Sequence, residues 1–228
     1  MMTLPELPPL FMVFDVESIG LHGEGFAVGW VVVDRAGKVL QAATLSCPTT
    51  LCIGTNEDRE WVTANVPPIE ETHGLPVAMR ADFWLCWLGW KAKGAVLVAD
   101  CCWPVEARFL AQCVNDDPHA RKWEGPYPLH DLASVMLALG RDPLATNERL
   151  PDELPAHHPL HDARQSARLL IEAFAYARSY AALAVQAERE RCAKLCDDKI
   201  AYWSFHHLGP SVAADCAAAI RNQPEVET

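Results

Sequence analysis

The most constraining feature of the sequence is an uninterrupted apolar run that ends on two carboxylates. Leu10-Phe11-Met12-Val13-Phe14 leads directly into Asp15-Val16-Glu17. A short run without polar residues is typical of a central strand covered on both faces. Side chains two positions apart on a strand point to the same face, so Asp15 and Glu17 project together. A charge without a partner is costly beside buried apolar groups, so this pair of carboxylates indicates a binding site for hard cations.

The remaining pattern predicts an α/β domain. A hairpin is expected from residues 26–33 and 38–45, a second buried strand at 95–99 and a short strand at 127–131. Helices are expected at 57–66, 76–93, 104–114 and 132–139, and the alanine-rich end predicts more at 159–187, 188–203 and 211–220. The tryptophans of residues 76–93 have helical spacing, which favours a core stripe over base stacking. We therefore predict one α/β domain over residues 1–180 and a helical extension over 181–228.

Charge and composition exclude several classes of protein. The net charge of −11 removes the broad attraction for phosphate backbones on which non-specific nucleic-acid coaters depend. No apolar run approaches the roughly 20 residues of a membrane helix, and the first residues show no signal peptide. The nine cysteines include a vicinal pair and lack a Cys-x-x-Cys spacing. This usage indicates reduced thiols in a cytoplasmic protein without membrane partners.

A second candidate segment is His157-His158-Pro159-Leu160-His161-Asp162-Ala163. Pro159 is suited to the first turn of a helix, which places Asp162 near the helix start and His157 on the preceding loop. Such an arrangement lets a carboxylate hold a metal while a histidine approaches a water molecule as general base. The alternative is a loop of surface histidines.

Together the two segments resemble a known family. Phe14-Asp15-Val16-Glu17 and His157-x4-Asp162-Ala163 resemble motifs I and III of the DEDDh 3′–5′ exonuclease superfamily. The resemblance covers about residues 10–180 and implies a ribonuclease H-like fold, a mixed sheet flanked by helices. The superfamily includes proofreading exonuclease subunits, ribonuclease T and oligoribonuclease. This chain is similar to small exonuclease-like proteins of bacteria and their phages.

Motif II departs from the family pattern. The family has an aspartate in the helix after the fourth strand, usually as Asp-x-x-Phe-Leu, and the matching frame here is Glu106-Ala107-Arg108-Phe109-Leu110. Glu106 therefore takes the place of the aspartate. Asp100, at the end of the preceding strand, is the rival for this role, and its alternative is to cap the following turn.

The resemblance also implies a mechanism and a substrate. Asp15, Glu17, Glu106 and Asp162, with Asp100 as a further ligand, would bind two divalent ions, Mg²⁺ or Mn²⁺. His157 would be the general base in hydrolysis at the 3′ end of single-stranded DNA or RNA, which releases nucleoside 5′-monophosphates. Three side chains are candidates for substrate binding, with a solvated helix face or core packing as alternatives: Arg164, Arg168 and Trp103.

Other interpretations of the sequence stay open. The altered motif II favours, as an alternative class, a ribonuclease H-like module that binds nucleic acid or protein without cutting. The dipeptides His130-Asp131 and His161-Asp162 suggest an HD-type phosphohydrolase, but that class is largely helical and the predicted strands oppose it. Cys192 and Cys196 lie one helical turn apart, which favours packing over a zinc site. Several family members dimerise, so the resemblance allows a homodimer.

Overall fold

The computed structural model describes residues 7–205 and 211–222 of the chain. Five strands form one mixed sheet in the order β3-β2-β1-β4-β5. β1 is antiparallel to β2 and parallel to β4, β2 is antiparallel to β3, and β4 is parallel to β5. The strands are β1 (Leu10–Ser18), β2 (Gly25–Asp34), β3 (Val39–Ser46), β4 (Ala95–Ala99) and β5 (His130–Asp131).

Seven helices accompany the sheet in the described ranges. Two short 3₁₀ turns lie at Thr49–Leu51 and Pro151–Glu153, and an irregular helical turn at Cys102–Glu106 precedes the third helix. The helices are α1 (Asn56–Asn65), α2 (Pro76–Lys91), α3 (Ala107–Asp116), α4 (Pro118–Arg121), α5 (Leu132–Ala138), α6 (Pro159–Phe205) and α7 (Ser211–Arg221). The predicted α/β class is confirmed.

The core lies between the central strands and α2. Every residue of β2 except Asp34 is buried, as expected of a strand covered on both faces. Phe83, Trp84 and Trp87 of α2 are buried in the same cluster as Phe14. Phe83 packs at centroid distances of 5.6 Å from Phe14 and 5.2 Å from Phe109, so it joins α2 to β1 and α3. The predicted core role of these aromatic residues is confirmed.

A buried ion triad joins three parts of this unit. Arg80 of α2 donates from Nε to Asp116 at the end of α3 (2.6 Å) and from Nη1 to Glu24 before β2 (2.5 Å). All three groups are largely hidden from solvent, so removal of one would leave an uncompensated charge. The triad therefore fixes α3 relative to α2 and the sheet.

Three predicted boundaries were wrong. α6 is continuous through residue 187 because the sequence has no glycine or proline between residues 160 and 205. The helix expected from Pro104 begins at Ala107, since Trp103 has extended backbone angles (φ −116°, ψ 136°) that interrupt the turn before it. The strand expected at 127–131 contains only its last two residues.

The chain divides into two compact units, Pro5–Ala173 and a helical unit that begins at Phe174. In the second unit Arg221 of α7 pairs with Glu190 (3.1 Å) and Asp197 (2.7 Å) of α6, which joins its two helices. An independent domain boundary at residue 180 stays a prediction. Among the described helices, none combines the length and apolar character needed to cross a membrane.

Candidate active site

Carboxylates gather where β1 and β4 end at the same edge of the sheet. The parallel register pairs Phe14 with Ala99, so Asp15 and Asp100 follow at adjacent positions. Glu17 lies two residues beyond Asp15 on β1 and therefore on the same face. The edge of the sheet is thus acidic on two neighbouring strands.

Glu106 enters this acidic cluster from the irregular turn before α3. Glu106 is only 6% exposed, and the backbone N–H of Val16, the residue between Asp15 and Glu17, acts to lower the pKa of its carboxyl group. Among the charges that act on Asp15, that of Glu106 has the largest effect and that of Asp100 the smallest. The structure therefore brings both motif II candidates to the cluster, and Glu106 raises the pKa of Asp15 more than Asp100 does.

The electrostatics of the cluster favour protonation in the absence of cations. Burial, followed by the charges of Glu106, Glu17, Asp162 and Asp100, raises the pKa of Asp15 well above its usual range. Burial and the charge of Asp162 raise the pKa of Glu17 to about 7. Burial also raises the pKa of Glu106 to about 7, against the opposing effect of two backbone N–H donors. Mutual repulsion of this kind is what a bound divalent cation relieves.

The start of α6 brings the second predicted segment to the same place. Oδ2 of Asp162 accepts the backbone N–H of His157 at 3.0 Å, and this contact closes the loop onto the first turn of the helix. His157 has a φ of +59°, a left-handed conformation that bends the chain so that its ring faces the cluster. Three residues each contribute one possible ligand atom, and these atoms lie within 4.8 Å of one another: Glu17, His157 and Asp162.

Gly29 makes this approach of α6 possible. It pairs with Asp15 in the β1–β2 register. A Cβ atom at this position would lie 2.2 Å from the backbone nitrogen of Leu160 and 2.5 Å from the carbonyl oxygen of Pro159. Only glycine therefore lets the start of α6 lie directly on the sheet beside Asp15. In the sequence, a glycine inside a strand rich in β-branched residues indicates such a close backbone approach.

Arg149 is a site residue that sequence reasoning missed. Its Nη1 donates to Oδ1 of Asp162 at 2.5 Å and to the carbonyl oxygen of Glu153 at 2.9 Å. Its positive charge also lowers the pKa of Asp100, although burial raises that pKa overall. A lone arginine in a long proline-containing loop carries no motif, so no local pattern indicated this role.

Sequence reasoning also missed Trp61, because a single tryptophan of this kind forms no motif. This residue of α1 is half exposed, and its ring contacts the ring of His157 edge to face, at a centroid distance of 5.6 Å and an interplanar angle of 81°. Aromatic pairs of this geometry stabilise ring orientation. Trp61 therefore restricts the orientation of the His157 imidazole.

The predicted substrate-binding residues occupy different surroundings. Trp103 is 71% exposed and lies three residues before Glu106 in the irregular turn. Arg164 donates to the carbonyl oxygen of Asp152 at 3.0 Å. Arg168 forms two hydrogen bonds to the Glu153 carboxylate, at 2.6 Å and 2.9 Å. Both arginines hold the loop that precedes α6, and a role in substrate binding stays a prediction.

The donor set fits hard divalent cations. It consists of carboxylate oxygens on four buried or half-buried residues, the carboxylate of the exposed Asp100 and one imidazole at the edge, and Mg²⁺ and Mn²⁺ prefer oxygen ligands. None of these donors is a cysteine thiolate, a ligand typical of structural zinc sites. The groups that would hold such ions are Asp15, Glu17, Asp100, Glu106 and Asp162.

Comparison with known proteins identifies the fold. No protein-family model and no curated protein matches the chain, but solved structures of exonuclease I do. Escherichia coli exonuclease I, in a zinc-bound complex with single-stranded DNA, has a TM-score of 0.52 at 14% identity, over 75% of this chain and 43% of that chain. Exonuclease I of Methylocaldum szegediense has a TM-score of 0.47 at 16% identity, over 71% and 39%. The chain spans about two-fifths of the length of these proteins. It has the ribonuclease H-like fold of the Escherichia coli protein.

Proposed function

We propose that this protein is a metal-dependent 3′–5′ exonuclease that hydrolyses the terminal phosphodiester of single-stranded DNA or RNA and releases nucleoside 5′-monophosphates. The observation that carries the proposal is the convergence of ligand atoms of Glu17, His157 and Asp162 within 4.8 Å, beside the half-buried Asp15 and the buried Glu106. The fold, shared with exonuclease I, supports the same class of reaction.

The carboxylates would hold two divalent ions, Mg²⁺ or Mn²⁺, which supply charge stabilisation for the phosphate and for the leaving 3′ oxygen. Asp15, Glu17, Glu106 and Asp162 are the catalytic ligands in this proposal, with Asp100 as a further ligand. A ring nitrogen of His157 accepts the proton of the attacking water as general base. Exposure of His157 at the edge of the cluster lets this proton pass on to solvent.

The net charge of −11 is compatible with a polyanionic substrate, because an exonuclease holds only a few nucleotides at one end. Positive charge near the cluster comes from Arg149, and Trp103 exposes an indole in the same irregular turn as Glu106. Trp103 would stack on a base of the strand, since base stacking tolerates any sequence.

A second candidate function is a module that binds nucleic acid without cutting it. The observation that favours it is Glu106, whose longer side chain stands where the family has an aspartate. Catalysis needs a general base and simple binding does not, so replacement of His157 distinguishes the two functions.

The test is digestion of 5′-labelled single-stranded DNA and RNA oligonucleotides with Mg²⁺, Mn²⁺ or chelator. We expect a metal-dependent ladder that shortens from the 3′ end, and a loss of about 10²- to 10⁴-fold in rate for His157→Ala. Asp15→Asn and Asp162→Asn should be inactive, whereas Asp152→Asn, the same change on an exposed neighbouring turn, should be unaffected. A folded protein that binds both oligonucleotides and leaves them intact with either metal would establish the binding module instead.

A further inference from the structure

Two buried thiols lie in contact at the end of β3, apart from the acidic cluster. Cys47 directly follows β3, Cys52 follows the 3₁₀ turn after it, and their Sγ atoms are 3.6 Å apart. Cys47 is 2% exposed and Cys52 is 3% exposed. By contrast, the sulfur atoms of Cys86 and Cys113 contact oxygen acceptors. The fold therefore places Cys47 and Cys52 as a dithiol pair.

Hydrogen bonds hold the chain on both sides of this pair. The backbone N–H of Cys47 donates to the carbonyl oxygen of Phe26 on β2 at 2.8 Å. Beside Cys52, the backbone N–H of Ile53 donates to Oε2 of Glu24 at 2.9 Å, and Glu24 belongs to the buried ion triad. Because both attachments are to the sheet and its core, the two sulfur atoms keep a high effective concentration relative to each other.

A small movement would join the two sulfur atoms. A disulfide has an S–S distance of about 2.05 Å, so the sulfur atoms of Cys47 and Cys52 would have to approach by about 1.5 Å. Divided between two side chains, the movement is about 0.8 Å for each sulfur atom. Such a change needs no rearrangement of the strand or of the helix that follows.

The two thiols are not equivalent. The hydrogen bond from Cys52 lowers the pKa of Cys47, against the opposing effect of burial. The same hydrogen bond, followed by burial, raises the pKa of Cys52. The thiolate is the nucleophilic form of cysteine, so Cys47 is the attacking sulfur and Cys52 is the thiol that attacks second.

Burial of the pair restricts which oxidant can reach it. Leu51 and Ile53, on either side of Cys52 in the chain, are 51% and 68% exposed, so the path from solvent to the thiols is short. Oxidised glutathione would have to bring a whole peptide against a buried sulfur atom, whereas hydrogen peroxide is close to water in size. We propose that hydrogen peroxide oxidises Cys47 and Cys52 to a reversible disulfide within the chain.

The reaction has two steps. The Cys47 thiolate attacks one oxygen of the peroxide, so that an S–O bond forms, the O–O bond breaks and hydroxide leaves with a sulfenic acid on Cys47. The Cys52 sulfur, which gives its proton to hydroxide, then attacks the sulfur of Cys47, the S–S bond forms and the S–O bond breaks. In total, two thiols and one peroxide give one disulfide and two water molecules. None of the residues of the acidic cluster takes part.

The test uses the mass of one tryptic peptide. Residues 39–59 lie between Lys38 and Arg59 and contain Cys47 and Cys52 but no other cysteine, methionine or tryptophan. The folded protein is treated with hydrogen peroxide, denatured, alkylated with iodoacetamide and digested. We expect this peptide without alkylation and lighter than its reduced form by two hydrogen atoms. Dithiothreitol added before alkylation should restore two alkylated cysteines, and oxidised glutathione in place of peroxide should give no disulfide.

Cys113 is the control within the same sample, because it is equally buried but contacts a carbonyl oxygen instead of a sulfur atom. It should remain a thiol and become alkylated after denaturation. Recovery of the peroxide-treated peptide 39–59 with both cysteines alkylated would overturn the proposal. A disulfide that joins two chains, or one that forms only in urea, would also overturn it.

Cys52→Ser and Cys47→Ser test the order of attack. Without Cys52 the sulfenic acid on Cys47 has no thiol to react with, so further peroxide should carry it to the sulfinic acid. In Cys47→Ser, the thiol of Cys52 should stay unoxidised under the same conditions. Oxidation of Cys52 in Cys47→Ser would contradict the role of Cys47 as the attacking sulfur. If a variant does not fold, the unsubstituted protein still decides whether the disulfide forms.

Discussion

Nη1 of Arg149 lies 2.5 Å from Oδ1 of Asp162, whose other carboxylate oxygen accepts the backbone N–H of His157. Arginine keeps its proton across the physiological pH range, so Arg149 gives the cluster a permanent positive charge. The positive charge offsets part of the repulsion among the carboxylates. It also opposes the binding of any further cation at the same oxygens.

Replacement of Arg149 by glutamine should therefore strengthen the binding of divalent ions. The neutral amide keeps a donor for Glu153 but removes the competing charge, and we expect the Kd for Mn²⁺ to fall about tenfold. Isothermal titration calorimetry measures this directly. Arg164→Gln, whose guanidinium is bonded to a loop carbonyl, is the matched control and should leave the Kd unchanged. A weaker Mn²⁺ affinity in Arg149→Gln would show that Arg149 organises the ligands instead of competing with the ion.

Trp61 should affect catalysis through the orientation of His157. Loss of the edge-to-face contact in Trp61→Leu removes about 0.5–1.5 kcal/mol of pairing, so kcat should fall about 2- to 10-fold. Trp61→Phe retains an aromatic edge and should restore most of kcat. Steady-state kinetics on an oligonucleotide tests both variants, with Trp123→Leu, a change at an exposed residue outside the cluster, as control. A change in KM alone would assign Trp61 to substrate binding.

Stability without metal should fall as the pH rises from about 4.5 to about 7. The pKa of Glu106 is about 7 in the folded protein against 4.5 as its ordinary value, so in this window the unfolded chain releases a proton that the folded chain keeps. The loss for this group is at most about 3 kcal/mol and is complete above pH 7. Urea unfolding in chelator measures it.

Glu106→Gln provides the control for this pH dependence, because it removes the ionisable group and also removes the charge that most raises the pKa of Asp15. The variant should show a shallower decline in the free energy of unfolding, and Mn²⁺ should flatten the decline of the unsubstituted protein. The same slope in both proteins would contradict the burial of an ionisable Glu106.

Gly29→Ala should damage the site without touching a charged group. The added methyl group would collide with the backbone of Pro159 and Leu160 and force the start of α6 away from Asp15. We expect a loss of about 1–3 kcal/mol in the free energy of unfolding and weaker Mn²⁺ binding. Gly89→Ala, at an exposed helical position where the methyl group meets no atom within 4 Å, should instead stabilise the protein by about 1 kcal/mol. Equal stabilities in the two variants would refute the close approach.

Local signals predicted much of the fold and part of the candidate site. An apolar run that ends on Asp15 defines a central strand whatever its neighbours are, and Pro159 marks a helix start on its own. Both motif II candidates, Glu106 and Asp100, could be named because strand ends and the family frame are visible in sequence.

The contributions of Arg149 and Trp61 were not visible for a physical reason. Each acts through one tertiary contact made by a loop or an outer helix, and such contacts leave no periodic pattern in the chain. The unbroken length of α6 could have been predicted, since the sequence has no glycine or proline between residues 160 and 205.

The acidic cluster draws on both ends of the first compact unit, with Asp15 and Glu17 on its first strand and His157 and Asp162 at the start of its last helix. During synthesis, a chain that has been released only as far as α5 holds the strand-end carboxylates but neither the histidine nor the final aspartate. Contacts between such distant positions form late in folding, because the whole intervening loop must be closed first. If the proposed exonuclease function holds, the metal ligands are complete only after the whole unit has been synthesised and folded, and an incomplete chain would not cut the nucleic acid around it.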